Sequence, residues 1–172
     1  SIVSPQIRLL MDGRFASDTS DLEAEAVIAD IGAALDDASG ELRIDAVLKG
    51  STRPYDARVS LVLPSGRLAG RSVRELEVAF EGTTTGQQLE GRLAGSGMVG
   101  QESIGLAGGI ELSREAARLE GLEARVGPSR LAGSLVRRSS GLISGSLTLD
   151  SSDIGAIAAL ANVRARGSAR AD

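Results

Sequence analysis

The chain has no cysteine, no histidine and no tryptophan, and only two phenylalanines and one tyrosine in 172 residues. Each absence removes a class of chemistry. Without thiols there is no disulfide and no thiolate metal site, and the compartment stays open. Without imidazole, the side chain most used for general acid–base work at neutral pH is missing. Lys49 is the only lysine. The remaining basic residues are arginines scattered along the chain and not gathered into a stripe, so nucleic acid is not an expected partner. No run approaches the ~18 uninterrupted apolar residues of a membrane helix. The aromatics are too few for the girdles of an outer-membrane barrel. The chain starts at Ser1 without methionine and reads as a piece of something longer, so missing targeting segments say nothing about location.

What is present is alternation. In residues 41–49, Leu42, Ile44, Ala46 and Leu48 share one parity, and Glu41, Arg43, Asp45 and Lys49 the other. A side-chain period of two marks a strand with one apolar and one wet face. The same pattern returns at Ile7–Met11, at Tyr55–Leu63 (stopped by Pro64-Ser65-Gly66), around Leu76, Val78 and Phe80, and at Leu89–Leu93. It continues at Ile104–Leu112, Leu122–Val126, Leu131–Leu135 and Ile143–Leu149. The breaks between runs are too short for a parallel crossover, which predicts an antiparallel meander. About nine strands at ~4.8 Å spacing would stack to roughly 40 Å. With 42% hydrophobic residues and few aromatics, the apolar side must be built from aliphatic side chains.

Two helices interrupt this pattern. Ser20-x-x-Glu23 reads as a capping box, and Leu22, Val27, Ile28, Ile31 and Leu35 follow at helical spacing, which predicts a helix over 21–37. Ser152-Asp153-Ile154 starts in the same way, followed by Ile157, Leu160 and Ala161, and Gly167–Asp172 echoes Gly40–Asp45. The organisation expected is therefore a first unit over 1–151 and the truncated start of a second repeat over 152–172.

Candidate chemistry is thin. The carboxylates mostly share the wet parity with arginine, as in a solvated face laced with cross-strand ion pairs. Asp18-Thr19-Ser20-Asp21 and Asp150-Ser151-Ser152-Asp153 offer oxygens for calcium, but Ser and Asp at helix starts read first as caps. Gly95-x-Gly97-x-x-Gly100 matches a dinucleotide-loop spacing without the strand–turn–helix context it needs. Arg137-Arg138 and Arg164, Arg166 and Arg170 read as surface charge, with contact to anionic lipid headgroups as the alternative. No enzyme site emerges and no cofactor is expected.

The apolar parity remains. Read conservatively, it is the core of a sandwich or closed barrel. Against this, Gly91, Gly108, Gly133 and Gly145 lie on that parity and fill no volume, as in a curved sheet with a smooth aliphatic lining. A sheet that bends tightly at its glycines would carry the same residues. If the face is a ligand groove, its lining is Leu42, Ile44, Leu48, Val59, Leu61, Leu76, Val78, Phe80, Leu89, Leu93, Ile110, Leu131, Leu135 and Leu147.

The run Ser39–Pro54, SGELRIDAVLKGSTRP, followed by an alternating strand, resembles a recurring phrase of the TamB/AsmA-like family of bacterial envelope proteins. Leu119–Gly127, LEGLEARVG, and Ser152–Leu160, SDIGAIAAL, are similar to other phrases of that family, and the resemblance covers nearly the whole chain. It implies an all-β, curved antiparallel β-taco groove of about nine or ten strands with one or two short helices. It also implies a periplasmic parent anchored in the inner membrane, with phospholipid acyl chains as cargo on the way to the outer membrane. A TamA-like outer-membrane partner would be reached through other parts of that parent. The other readings are a scaffold or chaperone that offers sheet edges to outer-membrane strands, a β-solenoid passenger and, least favoured, an enzyme.

Overall fold

The computed structural model describes residues 2–3, 7–15, 19–33, 35–51 and 53–151. Its strands are β1 (Ile2–Val3), β2 (Ile7–Phe15), β3 (Ser20–Ile28), β4 (Ala38–Gly40), β5 (Leu42–Gly50) and β6 (Tyr55–Leu68). They continue as β7 (Arg71–Thr84), β8 (Leu89–Val99), β9 (Glu102–Leu112), β10 (Ala116–Val126), β11 (Ser129–Arg138) and β12 (Ile143–Asp150). Every pairing is antiparallel, and the order across the sheet is β1-β2-β3-β5-β6-β7-β8-β9-β10-β11-β12, with β4 beside β6. The fold is all-β, one open meander that does not close into a barrel. The short breaks predicted this topology, because links of two to four residues can only turn a strand back on its neighbour.

The helix expected over 21–37 is not there. Ser20–Ile28 is strand β3, and only a single 3₁₀ turn, Ile31–Ala33, follows it. Leu22, Ala24, Ala26 and Ile28 alternate with Asp21, Glu23 and Glu25, so the period of two was present. Alanine and glutamate favour helix in isolation, but ladders on both sides, to β2 and β5, override that preference. The capping role falls with the helix. Ser20 is buried, with its hydroxyl donating to the Leu48 carbonyl at 3.3 Å, and Glu23 meets Lys49. The second predicted helix and the repeat start at 152–172 lie outside the described residues.

Pro64-Ser65-Gly66 does not end its strand either, since β6 continues to Leu68. A proline lacks a ladder donor, and the sheet accommodates it with a dislocation. Leu63 pairs with Leu76 and Ser65 with Arg74, and the next ladder shifts register between Arg74 and Glu77. Glu75 adopts a left-handed φ of 51°. Both strands change facing parity here, so Leu63 and Leu76 are followed on the apolar side by Gly66 and Val73. A second dislocation in β10, at Glu120-Gly121, does the same between Leu119 and Leu122.

Among the described residues, the compact core sits where the 3₁₀ turn packs against the apolar face. Ile31, Leu63 and Val73 are buried there, with Ile28, Ala38, Leu42, Leu68, Leu76 and Val99 around them. Asp30 fixes the turn, because its carboxylate accepts N–H bonds from Gly32 at 3.0 Å and Gly40 at 3.1 Å.

Candidate apolar groove

Lateral register collects the apolar residues into rows that cross the strands. One row runs Leu9, Ala26, Ile44, Leu61, Val78, Gly95, Leu106, Ala124, Leu131, Leu149, from β2 to β12, without a polar side chain. A second holds Met11, Ala24, Ala46, Val59, Phe80, Leu93 and Gly108, and resumes past the β10 dislocation as Leu122, Gly133 and Leu147. A third holds Leu22, Leu48, Ala57, Gly82, Gly91, Ile110, Leu119, Leu135 and Gly145. Leu42 pairs with Ile28, Leu76 with Leu63, and Leu89 with Leu112.

All fourteen residues expected to line a groove therefore lie on one face. Most are half-buried; Phe80 is buried, and Leu147, near the sheet edge, is 45% exposed. The described residues place no second layer over them, except at the Ile31 turn. Neighbours along and across the strands shield one another, which half-buries these side chains without a covering layer. The sequence reading missed Leu9, Leu22, Ile28, Leu106, Leu119 and Leu149. Leu22 and Ile28 were hidden by the helix assignment and Leu119 by the parity change at Gly121; Leu9, Leu106 and Leu149 carried the same alternation signal as the residues chosen.

The glycines do more than leave volume free. A Cβ built at Gly133 or Gly145 would strike a carbonyl of the neighbouring strand, Ser146 or Ser134, and both residues sit near φ 152°. That conformation is essentially closed to other residues.

The opposite face carries the charge. Arg58 meets Glu81 at 3.1 Å, Arg118 meets Glu111 at 3.0 Å and Arg130 meets Glu123 at 2.8 Å, all between adjacent strands. Lys49 reaches Glu23 at 2.9 Å and Asp21 at 3.7 Å. The hydrogen bond to Glu23, then the charges of Glu23 and Asp21, raise its pKa above the ordinary lysine value. These side chains are largely exposed, so solvent screening leaves each pair a weak contributor to stability. Among the described residues, no group of three His, Cys, Asp or Glu is placed to hold a metal ion, and no helix is long and apolar enough to cross a membrane. The Gly95–Gly100 glycines run along β8 into its turn, with no helix after them. No family model matches the chain, and no curated protein or solved structure matches it either.

Proposed function

We propose that this chain is a segment of a TamB/AsmA-like periplasmic bridge protein whose parent is anchored in the inner membrane. Its apolar groove carries phospholipid acyl chains towards the outer membrane, in support of outer-membrane biogenesis, and it performs no catalysis. The observation that carries this reading is the row from Leu9 to Leu149, ten strands wide with no polar side chain and no second layer described over it. At ~4.8 Å per strand it extends for roughly 45 Å, longer than one extended acyl chain. Each methylene that leaves water for such a face gains about 0.8 kcal/mol without directional bonds, so a chain can be held and still slide. The arginines and carboxylates of the outer face keep the sheet hydrated.

Photo-crosslinkers at Ile44, Val78 and Leu131, followed by mass spectrometry of the adducts, test the reading. Phospholipid adducts are expected there and not from outer-face positions such as Ser60. Adduct yields equal on both faces would remove its main support.

A second reading, a scaffold that adds outer-membrane protein strands to its edge, is favoured by β12. That strand is exposed along its whole length and pairs only with β11 among the described residues. Arginine substitution at Ile44 or Val78 separates the two, because it obstructs the groove and leaves the edge intact.

A further inference from the structure

Among the described residues, charge reaches the apolar face only at its rims: Arg137 at one, and Arg71 and Glu102, whose opposite charges offset each other, at the other. The strand ends there form a row of Tyr55, Thr84, Leu89, Leu112, Ala117, Arg137 and Ile143, in which Arg137 is the only charged residue. It shares its parity along β11 with Leu131, Gly133 and Leu135, the groove-facing positions. Arg114, from the β9–β10 loop, and Arg138 line the same shallow hollow, which joins a second one reaching Leu89 and Leu112. The only carboxylate in that hollow is Glu115, which leaves an excess of two positive charges. None of these three rim arginines forms an ion pair among the described residues, which several other exposed arginines also lack, so all three guanidinium groups remain available to an anion. Beside them, Leu142 and Ile143 are exposed aliphatic side chains.

We propose that this rim is a headgroup site. Arg137, flanked by Arg114 and Arg138, binds the phosphate of a single phospholipid whose acyl chain lies in the groove past Leu112 and Leu135. The guanidinium presents paired donors that match two phosphate oxygens, and its bond to an anion is charge-assisted. Exposed aliphatic residues at the same rim suit the glycerol–acyl junction. The proposal rests on the lipid-groove reading and adds to it a fixed orientation, with the headgroup at this rim and not at the one closed by the Ile31 turn.

The test titrates the full chain with monomeric lysophosphatidate, with a monoacylglycerol of the same chain length, with inorganic phosphate and with phosphatidylglycerol vesicles. Lysophosphatidate is expected to bind about ten-fold more tightly than the monoacylglycerol, as one charge-assisted contact provides. Arg137→Gln should abolish that preference and leave monoacylglycerol affinity unchanged. Arg137→Lys should keep part of it, and the outer-face control Arg118→Gln all of it. Circular dichroism verifies each fold; if Arg137→Gln does not fold, Arg114→Gln with Arg138→Gln carries the same expectation. Equal affinity for the two lipids in the unaltered chain, or a preference that survives Arg137→Gln, overturns the headgroup site while the groove stands. Competition by inorganic phosphate at the same concentration makes this a free-anion site and overturns it. Binding to vesicles alone makes it a membrane-surface patch and likewise overturns it. If neither monomeric lipid binds, the groove reading itself fails.

Discussion

The ring of Phe80 occupies the space that a side chain at Gly91 would need. A Cβ at Gly91 would lie 2.7 Å from Phe80 Cε2 and 2.7 Å from Gly82 Cα, on the adjoining strand. Phe80 is buried on a face over which the described residues place no second layer except at the Ile31 turn. Gly91→Val should therefore destabilise the chain by about 1–3 kcal/mol through overpacking and displacement of the β7–β8 ladder. Urea denaturation measures it as a lower midpoint. Gly105 is the matched comparison, with nothing within 4 Å of its Cβ position. Gly105→Ala should be neutral or stabilising by up to about 1 kcal/mol, because it restricts only the unfolded chain.

Ile31 is the one side chain from a loop that the apolar face buries deeply. At 5% exposure, between Leu63 and Val73, it closes the groove at the rim opposite Arg137. Truncation leaves a cavity among Leu63, Val73 and their neighbours. Ile31→Ala should cost about 2–5 kcal/mol in equilibrium unfolding. Hydrogen exchange should then quicken first in β4 and the adjoining end of β6, whose pairing begins where the turn ends. Uniform loss of protection across the sheet would show that the turn is no local clasp.

Lys49 is the only lysine, so its Cε resonance can be followed without assignment. Its hydrogen bond to Glu23, and then the charges of Glu23 and Asp21, raise its pKa above the ordinary 10.5. A group raised on folding contributes stability that is complete below the unfolded value and is lost as pH climbs through the folded one. The contribution is thus present at neutral pH and disappears in the alkaline window that begins near 10.5. NMR titration should place the midpoint above that value. Glu23→Gln should lower it more than Asp21→Asn, following the distances of 2.9 and 3.7 Å. Lys49→Met should flatten the stability profile in that window.

The strands legible in the sequence were those in which large aliphatic residues hold one parity without interruption, such as Leu42–Leu48 and Leu89–Leu93. β3 was lost because Ala24 and Ala26 carry little hydrophobic weight, and Leu22, Val27 and Ile31 fit a helical spacing as well. Only the ladders to β2 and β5 decide between the two, and those are not local. The parity changes at Pro64 and Gly121 were illegible for a related reason. A dislocation makes sense only against the register of the neighbouring strand, and single-strand alternation stops the strand at Pro64-Ser65-Gly66. Arg137 was read as surface charge because a basic pair at a strand end is ordinary. Its place on the apolar side follows from its pairing with Ala117 and Ile143.

Val78 offers the sharpest separation of folding from the proposed carriage of acyl chains. It lies in the middle of the longest apolar row, between Leu61 and Gly95, and Gly95 has no side chain to collide with a longer neighbour. The Cβ absent from Gly95 leaves 3.2 Å to Val78 Cγ2. An arginine at 78 can therefore lay its methylenes along the groove and bring its guanidinium to the open side. Val78→Arg should keep the far-ultraviolet dichroism of the sheet. It should also cut phospholipid adducts from crosslinkers at Leu61 and Leu93 at least ten-fold, since a charge on that row removes the favourable transfer of several methylenes at about 0.8 kcal/mol each. If the variant folds and the adducts persist, acyl chains do not travel along this row, and the edge of β12 becomes the place to look for function.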